Sequence, residues 1–196
     1  MKFHDKLNFD DFIGAHTILY GEANTKKTYY TAKFVQYLTD IKKVNPKEIS
    51  ILDFAPQLSN IRGLKIGGKI EDFFPQSIRC NNILFEGEII PPRLNANNKK
   101  ELYRYAQMNF EKTNVILNLF NENPTPFLII NDISIHLHLG DKKCLLESIK
   151  KPNTFFGNSY YGSSISRNFA IFFSLKEKRS VKYLLNRVDN AYITHT

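Results

Sequence analysis

The chain contains no tryptophan and only two cysteines, Cys80 and Cys144, in 196 residues. Neither cysteine belongs to a C-x-x-C pair, so neither a thiolate zinc site nor a disulfide framework organises this protein. Two buried, reduced thiols are expected. No apolar run approaches the roughly 20 residues that a membrane-spanning helix needs. The longest runs are like Phe127-Leu128-Ile129-Ile130. The start, Met1-Lys2-Phe3-His4-Asp5-Lys6, soon meets acidic residues and lacks the apolar core of a signal peptide. Internal repeats and low-complexity linkers are also missing. The expectation is therefore a cytoplasmic protein with no membrane partner, forming one domain over residues 1–196.

Apolar residues make up 42% of the chain and charged residues 23%, which suits a packed core and excludes global disorder. The net charge of +8 fits a nucleic-acid partner. It equally fits a nucleotide site on a lysine-rich, solvated surface.

Hydrophobic periodicity divides the chain into alternating elements. Short apolar runs at 17–20, 49–52, 83–85, 127–131, 169–173 and 190–194 read as strands. Three- and four-residue spacing marks helices at about 28–43, 99–121, 141–150 and 176–187. Asn98 followed by Glu101 has the character of a capping box. Asn45-Pro46 stops the first helix. Residues 57–77, 86–98 and 153–167 read as irregular connections. Continuous apolar strands between helices imply an α/β fold, a three-layer sandwich around a mostly parallel sheet.

The stretch Gly21-Glu22-Ala23-Asn24-Thr25-Lys26-Lys27-Thr28 joins the first strand to the first helix. It follows the pattern G-x-x-x-x-G-K-[ST] with one departure, Lys26 in place of the second glycine. Such a loop curls backbone N–H groups around phosphates and presents a helix N-terminus to them. Its lysine reaches the outer phosphates and its hydroxyl binds magnesium. The required strand before and helix after are both expected here. A second carboxylate belongs at the end of another buried strand, and Phe127 to Asn131 run into Asp132.

Together these segments resemble the P-loop NTPase superfamily, with the RecA-like ATPases the nearest branch. The resemblance covers about 17–54 and 127–140. It implies ATP and Mg²⁺ as cofactors, with Gly21, Glu22, Ala23, Asn24, Thr25, Lys26, Lys27, Thr28 and Tyr29 as the nucleotide cradle. Lys27, Asp53 and Asp132 would carry catalysis, Thr28 and Asp132 would hold the metal, and Asp53 would polarise the attacking water. ATP is favoured over GTP because no Asn-Lys-x-Asp base-reading segment is present. Lys26 points to nucleotide binding with slow turnover, since glycine normally lets the backbone approach the phosphates.

His136 and His138 have the spacing of one strand face, but no third metal ligand accompanies them. Ser134 lies close to Asp132. Arg62, Arg93 and Arg167 sit in polar loops from which they could reach phosphates or complete a neighbour's site in a homo-oligomer. Tyr160-Tyr161-Gly162 could stack on a base. Lys176, Lys178, Arg179 and Lys182 read as a solvated helix face. Three functions compete: an ATP-binding switch or motor subunit with slow hydrolysis, a small-molecule or nucleotide kinase, and a non-catalytic nucleic-acid-binding module. The kinase reading lacks a compact arginine lid. The nucleic-acid reading rests on the charge and the 153–167 loop.

Overall fold

A computed structural model describes residues 7–61, 63–165 and 167–195; Arg62 and the first six residues lie outside this description. The elements run β1 (His16–Gly21), α1 (Lys27–Gln36), β2 (Ile49–Asp53), β3 (Ser59–Ile61), β4 (Leu64–Ile66), β5 (Asn81–Asn82), α2 (Pro92–Asn95), α3 (Lys99–Glu122), β6 (Phe127–Asn131), α4 (Ile133–Leu137), α5 (Lys142–Ile149), β7 (Thr154–Tyr160), α6 (Ile171–Leu185) and β8 (Asn190–Ile193). Six strands form one sheet in the order β5-β2-β6-β7-β1-β8. Every pairing in it is parallel. Strands β3 and β4 make a separate antiparallel hairpin.

The sheet is covered on both faces because its strands are apolar on both. Ile18, Leu52, Leu128, Ile130 and Phe155 pack with α3, α5 and α6 through Ile116, Phe120, Leu145, Val181 and Leu184. Their neighbours Leu19, Ile51, Ile129 and Phe156 face the other way, toward Phe34 and Val35 of α1 and Leu38 of the turn that follows it. This period of two, apolar at each step, is the signature of a buried parallel sheet between two helical layers. Phe34 stacks on Phe156 with ring centroids 4.5 Å apart. The α/β class and the parallel sheet agree with the sequence expectation. Among the described residues no helix is long and apolar enough to cross a membrane.

Several local expectations are corrected. Residues 154–160, expected to lie in a loop, form β7, a buried strand at the middle of the sheet. Its polar residues Asn158 and Ser159 masked it. Gly157 is needed there, because a Cβ would meet Phe155 at 2.6 Å and Ile133 at 2.9 Å. The 169–173 strand is instead a 3-10 turn leading into α6. The inward residues of α6 are Phe173, Glu177, Ser180, Val181 and Leu184. The helix was expected only from 176, because Phe169-Ala170-Ile171-Phe172-Phe173 is apolar at every position, as a buried strand would be. The strand expected at 83–85 sits two residues earlier, at Asn81–Asn82.

Helix α1 ends sooner than its pattern, giving way to a π-turn over Tyr37–Ile41. Cys80 is buried but Cys144 is exposed, so only one of the two thiols is a core group. The capping expectation holds: Asn98 accepts from the Glu101 N–H at 3.0 Å. Glu101 returns its carboxylate to the Asn97 N–H rather than to Asn98.

Candidate functional site

Residues 22–26 connect the C-terminal end of β1 to the N-terminus of α1, at the edge of the sheet where ligands of open α/β folds bind. The turn is built from left-handed residues. Asn24 has φ 60° and Lys26 has φ 59°. An L-residue in that region costs roughly 1–2 kcal/mol, which explains why glycine suits the position of Lys26. The first turn of α1 leaves N–H groups without intrahelical acceptors, pointed at the hollow of the loop.

Lys27 lies across that hollow. Its ammonium donates to the carbonyl of Glu22 and, at 3.1 Å, to Thr25 Oγ1. Burial pushes its pKa down to about 8, against the pull of Asp132 and Glu22. A buried ammonium satisfied by its own loop is held where an anion's oxygens would otherwise be its partners. The loop is braced by the residue that follows β8: Thr25 Oγ1 meets Thr194 Oγ1 at 2.6 Å. Gly21 has no room for a side chain, since a Cβ would stand 2.7 Å from the Thr194 carbonyl oxygen.

Glu22 turns out of the hollow. Its carboxylate accepts from the backbone N–H groups of Ser163 and Ser164 and from both hydroxyls, the Ser164 one at 2.5 Å. Burial opposes its charge, but these four donors prevail and hold its pKa at about 2. Glu22 therefore ties the 163–164 turn to the loop instead of facing a ligand.

The hydroxyl of Thr28 points to Asn131, not to Asp132. Thr28 Oγ1 donates to Asn131 Oδ1 at 3.1 Å. The same oxygen accepts from Asn158 Nδ2 at 2.8 Å. Asn131 Nδ2 donates to Asp53 Oδ1 at 2.8 Å and to the Gly68 carbonyl at 3.0 Å. Asn158 Nδ2 also reaches Thr31 Oγ1, and Asn158 Oδ1 accepts from the Asp132 N–H. The strand ends of β6 and β7 are thus bound to α1 by a buried amide network. Sequence reasoning missed Asn131 and Asn158. The signal available was a polar residue at the end of an apolar strand, and for Asn158 the strand itself was not legible.

Asp53 does stand at the end of β2, but its carboxylate is fully engaged. It accepts from Ala55 N–H at 3.2 Å, Ile70 N–H at 2.8 Å and Asn131, with Lys69 Nζ at 3.7 Å. Burial still moves its pKa up, with Lys69 and these donors opposing. Asp132 has φ 57°, at the turn between β6 and α4. It accepts from Ser134 Oγ at 2.6 Å. Burial raises its pKa, with Ser134 and Lys27 pulling the other way.

A cavity of about 620 Å³ opens from residues 23–29 and reaches Asp132, Ser134 and Asn158. One wall is apolar, with Ala55, Pro56, Leu58, Ile66 and Phe73. Arg93, His138 and Tyr160 also line the cavity. Lys26, Lys27, Lys65 and Arg93 are its basic residues and Asp132 its one acid, among the described residues. The loop, Asp132 and Tyr29 thus come together around one space, while Asp53 and the Glu22 carboxylate belong to its supports.

Arg93 lies in α2 and pairs with Glu177 of α6, Nη1 to Oε2 at 3.0 Å and Nη2 to Oε1 at 3.2 Å. His138 Nε2 lies 2.8 Å from the same carboxylate. Burial alone would raise the Glu177 pKa, but Arg93 and His138 hold it below the usual range. The guanidinium also stacks 4.9 Å from the Tyr160 ring centre. Tyr160 is buried rather than presented on a loop, and Tyr161 packs edge-on to Tyr20. His136 and His138 belong to α4 and its C-terminal cap, not to a strand. His136 Nδ1 contacts Thr113 Oγ1 at 3.0 Å, and burial lowers its pKa to about 4. Among the described residues no group of three or more His, Cys, Asp or Glu side chains could hold a metal ion. Lys176, Arg179 and Lys182 are exposed on α6, the solvated face expected of them, with Lys178 half-buried.

No protein-family model matches this sequence, and no curated protein is significantly similar to it.

Proposed function

We propose that this chain is a P-loop nucleotide-binding protein of RecA-like type that takes ATP on residues 21–29 and turns it over slowly. One observation carries the reading. Lys27, half-buried and hydrogen-bonded to its own loop, sits at a helix N-terminus facing a cavity rich in cations. A phosphate chain would replace the Glu22 carbonyl and the Thr25 hydroxyl as the partner of that ammonium. The first-turn N–H groups of α1 would take further phosphate oxygens. The apolar wall at Ala55, Leu58 and Phe73, with Tyr29 beside it, offers surface for a base.

Slow turnover follows from the two acids. Asp53 is occupied away from the cavity: Ala55, Ile70 and Asn131 donate to its carboxylate, and the Lys69 ammonium lies 3.7 Å from it. Among the described residues, Asp132 is the one carboxylate on the cavity wall where it could accept a proton from water near the loop. The nucleic-acid alternative loses one of its two supports, since 154–160 form an interior strand.

A fluorescent ATP analogue titrated against wild type and Lys27→Ala tests the proposal. Lys27→Ala should weaken binding by about tenfold or more, the usual cost of a charge-assisted contact of 1.4 kcal/mol or above. Equal affinity in the two proteins would remove the site assignment.

A further inference from the structure

We infer that the site binds its nucleotide without a tightly held magnesium ion, the countercharge coming from lysines 26, 27 and 65. This rests on the nucleotide reading above. In magnesium-dependent loops, the loop hydroxyl and a strand-end carboxylate hold the ion between them. Water fills the remaining octahedral positions, and each water needs an acceptor. The donor set here does not fit that demand.

The group beside the Thr28 hydroxyl is the amide oxygen of Asn131, 3.1 Å away. It carries no formal charge, and its two lone pairs are already taken by Thr28 and Asn158. Rotating the Asn131 amide offers no escape. Its oxygen would then face the Gly68 carbonyl and the Asp53 carboxylate, both of which need a donor. Rotating Asn158 fails likewise, because its oxygen is held by the Asp132 N–H. The orientation of both amides is therefore set by the surrounding backbone and by Asp53.

Asp53 lies behind Asn131 and cannot substitute for a cavity acid, with Ala55, Ile70, Asn131 and Lys69 already around it. Asp132 is left as the one acid on the cavity wall, with Lys26, Lys27 and Lys65 on the same space. Arg93 is on that wall too, but Glu177 neutralises it. A divalent cation would enter a site whose lysines already outnumber its acids three to one. A polyanion entering alone meets an excess of positive charge. Lys26 belongs to this scheme: the residue that departs from the glycine pattern adds a cation at the mouth of the loop.

The test is a pair of titrations of the full chain with a fluorescent ATP analogue, one in excess magnesium and one in EDTA. The expected dissociation constants agree within about threefold. A preference of about tenfold or more for magnesium in the wild type would overturn the inference and leave the nucleotide site standing. Absence of binding in both conditions would overturn the nucleotide reading and this inference together. A second protein exchanges the acid and the amide, Asn131→Asp with Asp53→Asn, which avoids two facing carboxylates. With a charge placed beside Thr28, it should gain a magnesium preference of about tenfold. A folded exchange variant indifferent to magnesium would overturn Asn131 as the cause. Where the exchange prevents folding, the wild-type titrations alone decide.

Discussion

Alkaline pH should loosen nucleotide binding through Lys27. In the empty loop this lysine has a pKa of about 8, lowered from 10.5 chiefly by burial. A phosphate chain on the ammonium restores the charged form, so binding draws a proton from solution once the pH exceeds 8. The sign follows from linkage. Below pH 8 the free and bound states are both charged and affinity is level. Above it the free protein must be protonated first, and affinity falls by up to tenfold per pH unit until the bound form also titrates. With a bound pKa of at least 10.5, the fall between pH 7.5 and 9.5 is about twentyfold, or about 2 kcal/mol. The assay is the ATP-analogue titration across that range, with circular dichroism to verify the fold at each pH. Calorimetry in two buffers of different ionisation enthalpy would count the proton directly. Lys27→Gln should bind weakly with a flat profile. A flat profile in the folded wild type would refute the argument that Lys27 is the phosphate ligand.

Two further expectations concern stability. Lys26→Gly removes a left-handed lysine, relieving about 1–2 kcal/mol of backbone strain against about 0.5–1 kcal/mol of extra unfolded-state entropy. A net gain near 0.5 kcal/mol should appear as a higher urea midpoint, and a lower midpoint would contradict the strain reading. Arg93→Met leaves Glu177 buried without its main partner and should cost about 3–5 kcal/mol. Replacing both residues, Arg93→Met with Glu177→Met, should recover most of the loss. A single variant as stable as wild type would show that the pair is not held as its 3.0 Å contact implies.

The contrast between β6 and β7 shows what was legible in the chain. Phe127-Leu128-Ile129-Ile130 is apolar at every position, so local composition alone marks it as a buried strand. Thr154–Tyr160 is equally buried but carries Asn158, whose burial is tolerable only because Asn131, Thr31 and the Asp132 N–H lie opposite. Those partners come from other parts of the chain, and no local pattern announces them. Helix α6 was read from 176 onward, but the partners that let Glu177 lie buried within it, Arg93 and His138, come from distant parts of the chain.

By itself the sequence determined the α/β class, the strand–loop–helix unit around Gly21 to Thr28 and the two strand-end acids, because these depend on short-range periodicity and spacing. The tertiary structure decided what those acids do. It put Asn131 rather than Asp132 against Thr28, engaged Asp53 behind it and drew Glu22 away to Ser163 and Ser164. The physical reason is that a polar side chain takes its role from whichever donors and acceptors share its burial. Those neighbours are fixed only when β1, β2, β6 and β7 are laid side by side.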